Sequence, residues 1–149
     1  MKSTFIIYRY NPTVDKEAHY QEYTVDAGPT DKILDCLNKI RWEQDPTLVF
    51  RASCVHGICG SDAMVINSRV DLACQKLVRD YKTGNNFVVE PLPFFDVIKD
   101  LVVDLDPFFD RHRSVRPYLI NDSEPPDRER LQDSETQQSF EPALRCILC

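Results

Sequence analysis

Alternation of apolar and polar positions near the start of the chain predicts two β-strands. Residues 5–10 are aromatic or β-branched for the most part, and the run ends at the turn signal Asn11-Pro12. Residues 20–26 alternate, with Tyr23 and Val25 on one face and polar side chains on the other, as in a half-buried strand. The short separation between the two runs predicts an antiparallel pair.

A helical period follows over residues 31–44. Its apolar stripe consists of four aliphatic residues, Ile33, Leu34, Leu37 and Ile40. Thr30 or Asp31 is placed to cap the start of this helix. Cys36 lies beside the stripe, and we expect it to pack as a small apolar residue rather than bind a metal.

Three short apolar runs predict further strands at residues 63–66, 72–75 and 87–90. Turns are expected at Asn67-Ser68 and at residues 84–86. Two hairpins, one helix and a long loop after the helix predict an α+β fold, in which one helix crosses a small sheet.

The character of the chain changes after Pro93. Residues 96–104 are mostly apolar with helical spacing, and a second short helix is expected over residues 106–113. Residues 121–142 contain only two large apolar side chains, so this segment cannot bury much of itself. It is expected to be a solvated loop, a polar helix or a surface for a partner.

Length and charge narrow the class of protein. The 149 residues suffice for one ordinary domain, or for a small domain and part of another. The net charge of −6 argues against nucleic acid as a partner. The chain shows neither a secretory nor a mitochondrial leader pattern, and no apolar run long enough to insert into a membrane. We therefore expect a reducing compartment, where clustered cysteines more often serve metals or catalysis than disulfides.

Three of the six cysteines and one aspartate share a single region. Their spacing is C-x4-C-x2-D-x11-C, and the residues are Cys54, Cys59, Asp62 and Cys74. Plant-type ferredoxins hold a 2Fe-2S cluster with C-x4-C-x2-C and a distant fourth cysteine. Thiolates suit iron–sulfur chemistry, and the carboxylate completes four donors. Gly57 and Gly60 allow the backbone to approach a cluster closely.

Other interpretations of this loop remain open at this point. A structural zinc site also takes four ligands, although its usual cysteine pairs are absent. Cys54 and His56 resemble half of a Rieske pattern, but Leu77 stands where the second histidine belongs, so His56 is expected to be an exposed loop residue or a hydrogen-bond donor near the cluster. A Cys–His nucleophile pair and buried cysteines without a metal are the remaining alternatives.

The cysteine region as a whole, residues 53–74, reads SCVHGICGSDAMVINSRVDLAC. It resembles the 2Fe-2S loop of the iron–sulfur subunits of succinate dehydrogenase and fumarate reductase. That loop has the pattern S-C-R-x-G-I-C-G-S-[CD]-x-M-x-I-N-G-x-x-x-L-A-C. Three other phrases are similar to the same family: FIIYRYNP, DPTLVFRASC and VVEPLPFFDVIKDLVVDLDPFF. The resemblance extends over essentially the whole chain.

The resemblance implies four ligands of a 2Fe-2S cluster, namely Cys54, Cys59, Asp62 and Cys74. Aspartate at the third ligand position is similar to some bacterial members. Three positions depart from the pattern. Val55 stands at an often basic position, His56 at a variable one, and Ser68 replaces a usual glycine. Since the first two lie beside the cluster, its potential is expected to differ from that of relatives.

The last residues, RCILC, resemble the start of the family's 4Fe-4S motif, C-I-x-C-x-x-C-x3-C-P. The resemblance makes Cys146 and Cys149 two ligands of an incomplete site, and the chain a fragment or a natural half-subunit. It also implies two domains. Residues 1–98 would form a β-grasp ferredoxin domain, and residues 99–149 the incomplete start of an all-α helical ferredoxin domain.

The function implied by the resemblance is electron transfer within succinate:quinone oxidoreductase. Electrons would pass from the FAD of a flavoprotein subunit through the 2Fe-2S cluster toward quinone, with 4Fe-4S and 3Fe-4S clusters in the full-length subunit. The chain would carry no acid–base chemistry for the substrate. Partners would be the flavoprotein and, through the missing part, membrane anchor subunits, at the cytoplasmic face of a bacterial inner membrane. The alternatives are a stand-alone soluble ferredoxin and a non-redox module clamped by zinc.

Overall fold

The structure is a computed structural model that describes residues 2–81, 84–118 and 120–144. Its main element is a five-stranded sheet in the order β2-β1-β5-β3-β4. The strands are β1 (Lys2–Arg9), β2 (His19–Asp26), β3 (Ala63–Ile66), β4 (Arg69–Leu72) and β5 (Asn86–Glu90). One helix, α1 (Ile33–Glu43), packs against the sheet. The predicted α+β class, with one helix crossing a small sheet, is confirmed.

The first and fifth strands lie side by side at the centre of the sheet. β1 pairs antiparallel with β2 over its full length and parallel with β5. The rings of Phe5 and Phe87, one on each central strand, stack with centroids 4.8 Å apart. Alternate side chains of both strands are buried, which is the period of two that defines a strand with one covered face.

Helix α1 buries the stripe that its period predicts. The four aliphatic residues and Cys36 are all at most 1% exposed, so the packing role expected for Cys36 is confirmed. The expected cap is wrong. The carboxylate of Asp31 accepts the Gly28 N–H and pairs with Lys39, while Asp35 within the first turn accepts the Lys32 N–H at 3.2 Å.

The fourth strand begins earlier than predicted. Asn67 and Ser68 both adopt positive φ, 49° and 64°, and form a two-residue turn in which Ile66 pairs directly with Arg69. Two positive φ values match the twist of a tight hairpin, so β4 starts at Arg69 and the chain turns again after Leu72. The strand predicted over residues 72–75 is therefore wrong in position.

The helix expected over residues 96–104 is also wrong. This segment forms a two-stranded hairpin of β6 (Val97–Lys99) and β7 (Val102–Val103). Asp100 lies in its turn with φ 47°, and Leu101 and Val103 are buried. Tertiary contacts thus override a local spacing that is compatible with a helix.

Asp100 is the anchor of this hairpin. Its side chain is 1% exposed and accepts hydrogen bonds from Arg9 Nε (3.0 Å), the Tyr10 N–H (3.0 Å) and the Val49 N–H (2.9 Å). Arg9, itself buried, also pairs with Asp45. These bonds tie the β6–β7 hairpin to the end of β1 and to the loop after α1.

Two helices follow the hairpin. Helix α2 (Asp106–Ser114) confirms the helix predicted over residues 106–113, and α3 (Ser134–Leu144) lies in the polar segment, where a helix was one of three expectations. The chain divides into two compact units, Met1–Ser114 and Val115–Cys149. The assignment of residues 1–98 and 99–149 to two ferredoxin-type domains stays a prediction. Every helix among the described residues is too short or too polar to cross a membrane.

Candidate metal centre

The loop that leads into β3 has an unusual backbone. Three of its residues adopt positive φ: Val55 (61°), Gly57 (81°) and Gly60 (69°). Glycine tolerates this region freely, whereas a β-branched residue there is a genuine outlier that costs about 1–3 kcal/mol. Where positive and negative φ follow one another, as from Val55 to Gly57, successive N–H groups turn toward one side and form a concavity suited to anions.

The thiol of Cys54 lies inside this concavity. Its Sγ accepts the N–H groups of Ile58 (3.4 Å) and Cys59 (3.3 Å). The backbone N–H groups of Cys59, His56 and Ile58, in that order of effect, lower the pKa of Cys54 to about 6. A thiol with such a pKa is a thiolate at neutral pH, and the thiolate is the form that binds metals.

Cys59 is the exposed thiol of the loop. Its Sγ lies 3.1 Å from the hydroxyl of Ser61 and accepts the Ser61 N–H at 3.5 Å. Both sulfurs therefore face hydrogen-bond donors from the same short segment. Such donors stabilise negative charge on sulfur.

Asp62 and Cys74 form the buried side of the site. Asp62, 2% exposed, precedes β3, and Cys74, fully buried, lies in the turn after β4. The Cys74 N–H donates to Asp62 Oδ2 at 2.5 Å, and the Ala73 N–H donates to the Asp62 carbonyl at 3.2 Å. Burial, and then the hydrogen bond with Asp62, raise the pKa of Cys74.

The four sequence-predicted donors are thus neighbours. The Cys59 N–H donates to the Sγ of Cys54, and the carboxylate of Asp62 accepts the Cys74 N–H. The charges of Cys54 and Asp62 both raise the pKa of Cys74. Within the described residues, no three side chains of His, Cys, Asp or Glu surround a single point as one metal ion requires. A structural zinc ion needs four ligands at one atom, whereas a 2Fe-2S cluster spreads four over two irons. Three thiols, two of which accept backbone N–H groups, form the soft, anionic donor set that iron–sulfur clusters take.

The remaining candidates of the sequence analysis are His56, Cys36 and the two cysteines at the end of the sequence. His56 is exposed, and its Nδ1 donates to the Cys54 carbonyl at 2.5 Å, as expected of a loop residue. Burial raises the pKa of Cys36 to about 11, which keeps this thiol protonated. Cys146 and Cys149 lie outside the described residues, so their predicted role in a 4Fe-4S site stays a prediction.

Two residues near the loop are not indicated by any sequence pattern considered above. The ammonium of Lys32 donates to the Val55 carbonyl at 3.2 Å. The Gln75 side chain covers Gly57 so closely that a Cβ there would lie 2.7 Å from it. The partner of Lys32 is 23 positions away, and no local pattern reveals such a contact. Adjacency to Cys74 was the one available signal for Gln75.

Comparison with known proteins gives a family match over most of the chain. Residues 4–110 match the family described as "2Fe-2S iron-sulfur cluster binding domain". This range contains the cysteine loop, the five-stranded sheet except the first two residues of β1, the β6–β7 hairpin and the first part of α2.

Curated relatives extend beyond the length of this chain. It is 40% identical to the succinate dehydrogenase iron-sulfur subunit of Coxiella burnetii, over 98% of this chain and 62% of the relative. It is 42% identical to the subunit of the same name from Paracoccus denitrificans, over 97% of this chain and 56% of the relative. The chain therefore spans about three-fifths of the length of these relatives.

A solved structure shares the fold. A chain of the Mycobacterium smegmatis Sdh1 complex in the apo form superposes with a TM-score of 0.79 at 26% identity. The match covers 99% of this chain and 62% of that one.

Proposed function

Because the chain belongs to the family of 2Fe-2S iron–sulfur cluster binding domains, we propose that it is the electron-transfer portion of a succinate dehydrogenase iron–sulfur subunit. The observation that carries the proposal is the loop in which backbone N–H groups converge on two thiols beside a buried Cys–Asp pair. The names of the relatives supply the enzyme class.

The ligands in this proposal are Cys54, Cys59, Asp62 and Cys74. When bound, a 2Fe-2S cluster supplies a one-electron carrier. The protein residues hold and tune it. Cys54 is already a thiolate at neutral pH, and the N–H groups around it offset negative charge. Asp62 and Cys74 exclude water on the buried side, while the exposed Cys59 leaves the other side open to a partner protein.

The partners follow from the same proposal. The FAD-containing flavoprotein subunit would lie against the exposed side of the loop. The longer subunit would contribute 4Fe-4S and 3Fe-4S clusters, including the site of Cys146 and Cys149, and would meet the membrane anchor subunits and quinone. The complex would then lie peripherally at the cytoplasmic face of a bacterial inner membrane, with no substrate chemistry in this chain.

Metal and sulfide content tests the proposal directly. The protein is purified anaerobically, and iron, zinc and acid-labile sulfide are measured on one sample with its visible and EPR spectra. About two irons and two sulfides per chain, with a one-electron signal on reduction, are expected. About one zinc without sulfide, or no metal after reconstitution with iron and sulfide, would overturn the proposal.

A further inference from the structure

Lys32 contacts both segments that carry the candidate ligands. Its backbone forms an isolated antiparallel bridge with Leu77, and the neighbouring Ile33 N–H donates to the Lys76 carbonyl at 2.9 Å. Its side-chain ammonium donates to the carbonyl of Val55. One residue thus connects the segment after Cys74 to the loop of Cys54.

The contact falls on the strained residue of the loop. Val55 adopts φ 61° although it is β-branched, and such conformations persist only where surrounding structure holds them. The ammonium of Lys32 holds the carbonyl of this residue from outside the loop. Since Val55 follows Cys54 directly, the same bond helps to fix where the N–H groups beyond it point.

Lys32 also brings a positive charge to a loop that has none of its own. Residues 53–61 contain neither lysine nor arginine. The basic residues on the flanking segments are engaged elsewhere, since Arg51 donates to the Val103 carbonyl and Lys76 pairs with Asp71. A nearby cation stabilises the reduced state of a cluster, because reduction adds one negative charge.

We propose that Lys32 is a positioning residue of the cluster site, which braces the Cys54 loop and raises the reduction potential of the cluster. This inference rests on the proposed function. It predicts that neutralising Lys32 loosens the loop in the metal-free protein and lowers the potential in the loaded protein. Lys32→Arg, which retains a charged donor, is expected to preserve both properties.

Lys39, on the helix that starts directly after Lys32, offers a matched control. Its ammonium also donates to a backbone carbonyl, that of Asp26 at 3.2 Å, and pairs with Asp31. Lys39→Met therefore removes the same net charge and a similar contact without touching the cysteine loop. Lys32→Met, Lys32→Arg and Lys39→Met are prepared together with the wild type.

Two measurements decide the inference. Hydrogen exchange of the metal-free proteins is followed at residues 54–59, and the reduction potential is measured by EPR-monitored titration of the loaded proteins. Lys32→Met alone is expected to exchange several-fold faster in the loop and to have a lower potential. If residues 54–59 of Lys32→Met exchange at the wild-type rate, Lys32 does not brace the loop. If the reduction potential of Lys32→Met equals that of Lys39→Met, the charge of Lys32 does not raise the potential.

The two proposals fail in different ways. A wild-type protein that takes up no iron and sulfide would overturn the proposed function, and the potential-setting role of Lys32 with it. Hydrogen exchange in the metal-free protein would still decide whether Lys32 braces the loop.

Discussion

Asp62 accepts a hydrogen bond from the Cys74 N–H and is also a proposed iron ligand. Single substitutions separate these two roles. Asparagine retains an oxygen for the Cys74 N–H but is a poor iron ligand. Cysteine supplies a thiolate, and alanine removes both functions.

We predict that Asp62→Asn and Asp62→Ala lose iron, whereas Asp62→Cys retains it with a shifted potential. Asp62→Ala alone is expected to lose about 1–3 kcal/mol of unfolding free energy in the metal-free protein, because the buried Cys74 N–H loses its acceptor. Iron analysis and urea denaturation measure the two effects, with Asp71→Ala as a carboxylate control outside the site. Full iron content in Asp62→Asn would contradict the ligand role.

Asp45 makes the stability depend on pH. Burial raises the pKa of Asp45, but the opposing hydrogen bonds from Thr47, Tyr23 and Arg9 hold it well below its usual range. A carboxyl whose pKa is depressed on folding contributes stability that is complete above its unfolded pKa, about 3.9, and is lost as the pH falls further.

We therefore predict that the unfolding free energy declines as the pH falls from about 5 toward 2. Asp45→Asn is expected to be less stable at pH 7 and to decline less on acidification. Urea denaturation at a series of pH values measures both curves. Parallel curves for the two proteins would show that another group carries the dependence.

At the scale of single elements, the β3–β4 hairpin contains a correctable strain. Ser68 adopts φ 64° in the two-residue turn, a conformation in which glycine avoids the steric penalty of a side chain. We predict that Ser68→Gly stabilises the protein by about 0.5–1 kcal/mol. Chemical denaturation measures the gain in stability. Ser114→Gly, at the end of α2, serves as a control that is expected to show no gain. A loss of stability in Ser68→Gly would contradict this interpretation of the turn.

Periodicity predicted the elements whose burial is regular along the sequence. Helix α1 and strands β1, β3 and β5 were predicted because one face of each is buried along its length. Strand β2 was predicted because its alternating residues Tyr23 and Val25 are buried. The β6–β7 hairpin was misread because Asp100 is held by Arg9, 91 positions away, and this bond leaves no local pattern. The start of β4 depended on turn geometry rather than on hydrophobicity.

The candidate site was likewise predicted only in part from the sequence. The spacing of three cysteines and one aspartate, with two glycines, indicated the loop and its donors, because chain connectivity alone brings Cys54, Cys59 and Asp62 close. Lys32 could not be predicted, since only the docking of α1 against the Cys74 segment brings it to Val55.

At the scale of the whole molecule, the first compact unit contains the sheet, the cysteine loop and the hairpin anchored by Asp100. We predict that residues 1–114 fold alone and take up iron like the full chain. Residues 1–98, the predicted ferredoxin domain, lack Asp100, Leu101 and Val103. They are expected to be markedly less stable because Arg9 loses Asp100, the more buried of its two carboxylate partners. Circular dichroism with urea denaturation compares the two fragments. Equal stability would place the domain boundary at the earlier position.

The parallel pairing of β1 with β5 has a consequence for synthesis on the ribosome. β1 emerges first, yet its parallel neighbour β5 follows only after the cysteine loop and the hairpin strands β3 and β4 have been made. Contacts so distant in sequence form slowly, and the open strand edge is meanwhile free to aggregate. Nascent chains released before Glu90 should therefore remain sensitive to protease and bind holding chaperones, while chains that also include the β6–β7 hairpin should not. Equal protease resistance of the two would show that the sheet closes without its central pair.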